Sequence, residues 1–216
     1  MRSAGRGLWL PVAVVLLVTT TACSGGEDAA EGRGEVAAEV CDGFAGQPVV
    51  ASALEAIAGQ GVALSSSGAE PERVLRDLKA AGLKPQSGKS RTPGIPFCTL
   101  ETAGDERNVL SLTFREALAL PSGQAAADGV TGYATGALAT SSDSYAAIYF
   151  PCRMQPPAHE IVVAAELERA DENGADHEGL RDDQITLVNA AARKVAAQLG
   201  CQDPRLPVSV PESGGS

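Results

Sequence analysis

Apolar positions along the chain follow two different periods. In the first part they recur at helical spacing. Val36, Val40 and Phe44 fall every four residues, with Cys41 beside them, which predicts a helix. Pro48 opens a second helical segment, with Val50, Leu54 and Ile57 on one face and Gly59 and Gly61 ending it. Ser65 to Gly68 reads as a loop. Pro71 suits the first turn of a third helix, where its missing N–H costs nothing. Val74, Leu75 and Leu78 form that helix's buried side, and Gly82 its expected C-terminal cap.

From Phe97 the period drops to two. Cys98 and Leu100 share one side of a strand. Leu110, Leu112 and Phe114 alternate with Ser111, Thr113 and Arg115. Ala146, Ile148, Phe150 and Cys152 face one way, and Tyr145, Ala147 and Tyr149 the other. Ile161, Val163, Ala165 and Leu167 share a face, while Glu166 and Glu168 point away. The stretch 129–139 holds a further strand weakened by glycines. A last helix is expected over 183–199, capped by Asp182 or Asp183, with Ile185, Val188, Ala192, Val195 and Leu199 facing the core. Helices, then consecutive strands, then a helix predict an α+β fold. Its antiparallel sheet should have four to five strands, covered by N-terminal helices and a C-terminal helix.

The N-terminus follows a different logic. Arg2 and Arg6 precede an apolar run from Leu8 to Val18, then small residues and Cys23. Positive, apolar, small is the order of an export signal over residues 1–22, and the run is too short to span a bilayer. Thr20-Thr21-Ala22-Cys23 resembles a bacterial lipobox, with Thr20 where Leu or Val is usual. That resemblance implies a diacylglyceryl thioether on Cys23. Acyl chains at ~0.8 kcal/mol per buried methylene would hold the protein on the outer face of the cytoplasmic membrane. Cleavage without lipidation, giving a secreted protein, is the alternative. Residues 23–34 then form a flexible tether, 35–203 the folded domain, and 204–216, polar and rich in Pro and Gly, a disordered tail.

Setting Cys23 aside leaves Cys41, Cys98, Cys152 and Cys201 in an exported chain, an even set that reads as two disulfides. Three pairings are open. Cys41–Cys98 with Cys152–Cys201 is preferred, since each bond would tie a helix to a strand within one half of the chain. Cys41–Cys201 with Cys98–Cys152 is its chief competitor. The net charge of −10 argues against nucleic acid as partner, because that affinity needs Lys and Arg on phosphates.

Familiar catalytic spacings are missing. Gly88-Lys89-Ser90 lacks the first glycine of a phosphate loop at the right distance. His159-Glu160 lacks the second His of a zincin, with Val163 in its place, and no Gly-x-Ser-x-Gly elbow occurs. The acidic run Asp171, Glu172, Asp176, Glu178, Asp182 and Asp183 misses the calcium-loop pattern at Ala175. No metal or cofactor is implied. Tyr145 and Tyr149, with Arg153 to meet an anionic group, mark a possible ligand groove.

The export signal, Cys23, the helix bearing Cys41, the Phe97-Cys98 strand, the Tyr149-Phe150-Pro151-Cys152 strand and the final Leu199-Gly200-Cys201 together resemble a group of small actinobacterial lipoproteins of unknown function. The resemblance implies a disulfide-bonded α+β domain at the cell surface and supplies no catalytic residues. The favoured expectation is a non-catalytic module of the envelope that binds a small ligand or an envelope protein. The alternatives are a hydrolase using His159 or His177 with an acidic partner, and an accessory subunit of an envelope complex.

Overall fold

The computed structural model describes residues 35, 39–84, 92–122, 128–170 and 177–214; the side chains of residues 177 and 178 are not described. Eleven elements follow one another: α1 (Val40–Gly43), α2 (Pro48–Ala58), β1 (Leu64–Ser67), α3 (Pro71–Leu83), β2 (Ile95–Thr102), β3 (Asn108–Ala117), β4 (Thr131–Gly132), β5 (Leu138–Ser141), β6 (Tyr145–Cys152), β7 (Ile161–Arg169) and α4 (His177–Leu199). The class is the expected α+β. The sheet has seven strands rather than four to five, in the order β1-β2-β3-β7-β6-β5-β4, with every neighbouring pair antiparallel.

The extra strands come from short polar segments. Leu64–Ser67, read as a loop from its serines, pairs with β2 from Leu64↔Thr102 to Ser67↔Thr99. An edge strand needs backbone pairing on one side only, so polar side chains do not forbid it. The 129–139 stretch supplies two strands, β4 and β5, separated by a turn at Gly136.

Period two places alternate residues of the central strands on opposite faces. Leu110, Leu112, Phe114, Ile148, Phe150, Val163, Ala165 and Leu167 are buried on one face. There α4 packs on β5, β6 and β7, α2 packs on α4, and α3 covers β2 and β3. Phe97 sits between Phe44 and Phe114 in edge-on contacts with centroids 6.1 and 5.3 Å apart. α4 begins six residues before the expected 183, so Asp182 and Asp183 lie inside it rather than at its cap. The polar residues Gln184, Thr186 and Asn189 of α4 are also buried, because it is enclosed on more than its apolar stripe. Gln184 donates to the Ser142 and Asp143 carbonyls, Thr186 to that of Asp182 and Asn189 to that of Pro207, while Asn189 accepts from the Thr135 hydroxyl.

Both sheet edges are partly covered by terminal segments. Glu35 bridges Leu64 on β1. At the β4 edge, residues 204–214, expected to be a disordered tail, run alongside the fold. The Gly136 amide donates to Arg205 O, the Ala134 amide to Glu212 O, and Ser213 bridges Tyr133. Unpaired strand groups nearby give a polar, Pro-rich segment backbone partners that its composition does not reveal.

The helix expected through Val36, Val40 and Phe44 is a single four-residue turn at Val40–Gly43, and residues 36–38 lie outside the described set. Cys41 and Asp42 have positive φ of 47° and 65°, a conformation that ends a right-handed helix. Two contacts hold this turn: the Cys41–Cys98 disulfide to β2, and the Lys194 ammonium on the Asp42 carboxylate at 2.7 Å. The second disulfide joins Cys152 at the end of β6 to Cys201 just past α4. The preferred pairing is therefore the one present. Gly82 does not cap α3, which runs on to Leu83; it is buried where a Cβ would meet the Met154 methyl. No helix among the described residues is long and apolar enough to cross a membrane.

Candidate functional site

The face of the sheet away from the helices carries the concentrated chemistry. Register sets it out in three rows across β3, β7 and β6: Ser111–Glu168–Tyr145, Thr113–Glu166–Ala147 and Arg115–Ala164–Tyr149. Alanines at 147 and 164 leave room for long neighbours to meet over them. Across Ala164, the Arg115 guanidinium carbon lies 5.9 Å from the centre of the Tyr149 ring, a cation–π distance.

Glu166 is the hub. Arg115 grips it with two donors, Nε at 3.1 Å and an Nη at 2.8 Å, and the Tyr145 hydroxyl donates to it at 2.8 Å. Only 8% and 7% of the Arg115 and Glu166 side chains are exposed, so the pair is out of water. A buried charge survives when it is paired and hydrogen-bonded, and both conditions hold here. Ala117, Ala147, Tyr149 and Ala164 form a small apolar cluster on this face, with Leu138, Tyr145 and Val162 against it.

Next to the pair lies a cleft of about 360 Å³. Its walls are Ser111, Thr113, Tyr145, Glu166 and Glu168 on one side and Thr92-Pro93-Gly94 on the other. Thr92 continues the β2 line and donates its hydroxyl to Glu116 O at 2.5 Å. Gly94 passes so near Thr113 that a Cβ there would lie 3.3 Å from its side chain. The cleft thus presents hydroxyls, an exposed Glu168 carboxylate and a second carboxylate already neutralised by arginine. That combination accepts hydrogen bonds from hydroxyl or amine groups.

Tyr145 and Tyr149 share this face, as alternation predicts. Arg153 does not join them. It lies beyond β6, with its guanidinium on Glu160 at 2.8 Å and its backbone bridging Gln202. The arginine of the site is Arg115. Alternation had put Arg115 and Glu166 on the outward sides of their strands, but pairing those strands was needed to bring the opposite charges together.

His159 is exposed, its amide donating to Gly82 O, and its neighbour Glu160 is engaged by Arg153. His177 belongs to α4, and its side chain is not described. Asp182 accepts from the Tyr133 hydroxyl at 2.7 Å. Burial, and then the adjacent Asp182 charge, push the Asp183 carboxyl above its ordinary range. Cys23, Gly88-Lys89-Ser90, Asp171, Glu172 and Asp176 lie outside the described residues. Comparison of the chain with family models, curated proteins and solved structures finds no match.

Proposed function

We propose that this chain is an extracytoplasmic lipoprotein, anchored through Cys23, whose disulfide-bonded domain is a non-catalytic binding module of the cell envelope. The reading places its ligand in the cleft beside Glu166. One observation carries the choice of binding over catalysis. The carboxylate at the floor of the cleft receives two hydrogen bonds from Arg115 and one from Tyr145. A general base needs a lone pair aimed at the substrate proton; here three of the carboxylate's roughly four acceptor positions receive fixed donors. Such a network is rigid and suits recognition. The two disulfides support the exported setting, since such bonds persist in oxidising compartments.

Two measurements test this reading. Intact mass of natively expressed protein, in membrane and medium fractions, should show a membrane form starting at Cys23 with a diacylglyceryl addition. It should expose four alkylatable thiols only after reduction. Unmodified protein in the medium with free thiols would sink the anchor and the compartment together. For the cleft, the mature protein is titrated with a neutral oligosaccharide such as maltotriose and with a diamine such as cadaverine. The amides of Ser111, Thr113 and Glu168 should shift with at least one of them. Shifts confined to other surfaces, or none, would move the site elsewhere.

A further inference from the structure

A second, larger cleft lies on the helical side of the molecule, away from the Glu166 face. It measures about 610 Å³, within the range of small-molecule sites, and is an open cleft bordered by the α1–α2 turn, the C-terminal half of α4 and the segment after Cys201. Phe44, Ala190, Ala197 and Leu206 supply apolar walls. Arg193 and Lys194 are its charged residues, and neither Asp nor Glu is among the described residues lining it. The chain holds 27 acidic residues against 17 basic, so a lining with two cations and no anion runs against its composition.

The two cations are not equivalent. Lys194 is committed to Asp42 through both the carboxylate and the backbone carbonyl. Arg193 is half-buried and has no ion-pair partner among the described residues. Among the described residues its guanidinium is the cleft's one unpaired positive charge. A narrow furrow continues from the cleft through the shared residues Gln47, Ala190 and Arg193, lined by Val49, Val208 and Val210. These valines are 46%, 70% and 39% exposed, an apolar strip left in water beside the cation. The disulfide to Cys201 and the Lys194–Asp42 contact fix the walls to the fold, so little ordering is required on binding.

We propose that this cleft binds a small anionic amphiphile, an aliphatic monocarboxylate, with the anion on Arg193 and the apolar chain along the Phe44–Leu206 wall. The site is independent of the Glu166 cleft. A guanidinium selects an anion by charge-assisted hydrogen bonds, and the apolar walls reward a hydrocarbon body.

The test uses the mature protein with both disulfides intact and calorimetric titration with decanoate below its micellisation threshold. Decyltrimethylammonium and decyl maltoside, which share the ten-carbon chain, serve as probes of opposite and no charge. Decanoate should bind one-to-one and at least roughly tenfold tighter than either. Arg193→Gln should weaken decanoate about tenfold and leave decyl maltoside unchanged, while Arg193→Lys keeps most of the preference. Ala197 is exposed, so Ala197→Phe narrows the cleft without entering the core and should abolish binding with an unaltered circular dichroism spectrum. Equal binding of the three probes, no saturable binding of decanoate, or decanoate affinity indifferent to Arg193→Gln would each overturn the proposal.

Discussion

Removing Arg115 takes the guanidinium partner from a buried carboxylate. In the native protein Glu166 receives two of its hydrogen bonds from Arg115 and one from Tyr145, and 7% of its side chain is exposed. Arg115→Ala takes away two of these three hydrogen bonds and the guanidinium charge opposite the carboxylate. Removing one partner of a buried ion pair typically costs about 3–5 kcal/mol, against ~1 kcal/mol or less for a pair in water. The expected loss therefore lies near 3–5 kcal/mol. Tyr145→Phe removes a single hydrogen bond to a charged group at a half-buried position, and should cost about 1.5 kcal/mol, the low end for such bonds. Arg115→Met with Glu166→Leu removes both charges while keeping volume, so the double variant should recover most of the loss. The assay is urea unfolding followed by far-ultraviolet circular dichroism, with the disulfides oxidised and the m-value checked for constancy. A loss below about 1 kcal/mol for Arg115→Ala would show that the pair behaves as a solvated one. A double variant as unstable as Arg115→Met and Glu166→Leu measured singly and added would show that the two residues do not couple, and would refute charge compensation as the source of the loss.

Three further outcomes follow from other parts of the fold. Gly136 has φ of +63°, and a Cβ there would lie 2.5 Å from the Tyr149 carbonyl oxygen, which belongs to backbone and cannot swing away; Gly136→Ala should lower stability by more than the roughly 1–2 kcal/mol of left-handed strain alone, read in the same urea assay. Cys41, Cys98 and Cys152 are buried while Cys201 is half-exposed on the helical-side cleft, so limited reduction under native conditions with mass mapping should open Cys152–Cys201 first; opening the Cys41–Cys98 bond, which closes a 57-residue separation, should cost up to about 4 kcal/mol. Because burial raises the folded-state pKa of Asp183, its ionised form opposes folding at neutral pH, and the penalty fades as pH falls through the raised folded value towards the unfolded one. Asp183→Asn should therefore stabilise the protein at pH 7, by an amount that shrinks on acidification; a gain independent of pH would refute the assignment.

How far the sequence could be read depended on how far each residue's partner lay along the chain. The strands with clean alternation, β3, β6 and β7, were legible because each face repeats a burial choice every second residue, and the wrong register would expose a whole apolar set. The same rule located Tyr145 and Tyr149. Edge elements escaped it. Ser65, Ser66 and Ser67 carry no apolar pattern and form a strand because β2 offers an unpaired edge. Residues 204–214 lie against the β4 side for the same kind of reason. Backbone pairing leaves no mark on side-chain type, so composition pointed to loops and a free tail. Helix limits failed where a local signal had two explanations. Gly82 reads as a cap, yet its missing Cβ makes room for Met154; Asp182 reads as a cap, yet its carboxylate accepts from Tyr133.

The Arg115–Glu166 pair shows why a site can be invisible even when each member is correctly placed. Alternation puts both residues on the helix-free face, but their sequence separation of 51 carries no hint of adjacency. That requires β7 to return between β3 and β6, which follows from the chain crossing to the far edge at β4 before folding back strand by strand. Arg153 illustrates the converse error: closeness in sequence to Tyr149 suggested a shared groove, while the rise of about 3.3 Å per strand residue carries it past the end of the face, to Glu160. On a sheet, functional neighbours lie across strands rather than along them. Ala147 and Ala164 are therefore as informative as the charged residues around them. They are the two alanines of these rows: Ala164 is flanked in register by Arg115 and Tyr149, which meet over it, and Ala147 by Glu166 and Thr140. Enlarging Ala164 to Leu should separate Arg115 from Tyr149 without touching either, and the resulting loss of the cation–π contact should appear as a changed near-ultraviolet tyrosine signal. An unchanged signal would mean that Ala164 is small for the sake of the core rather than for the site.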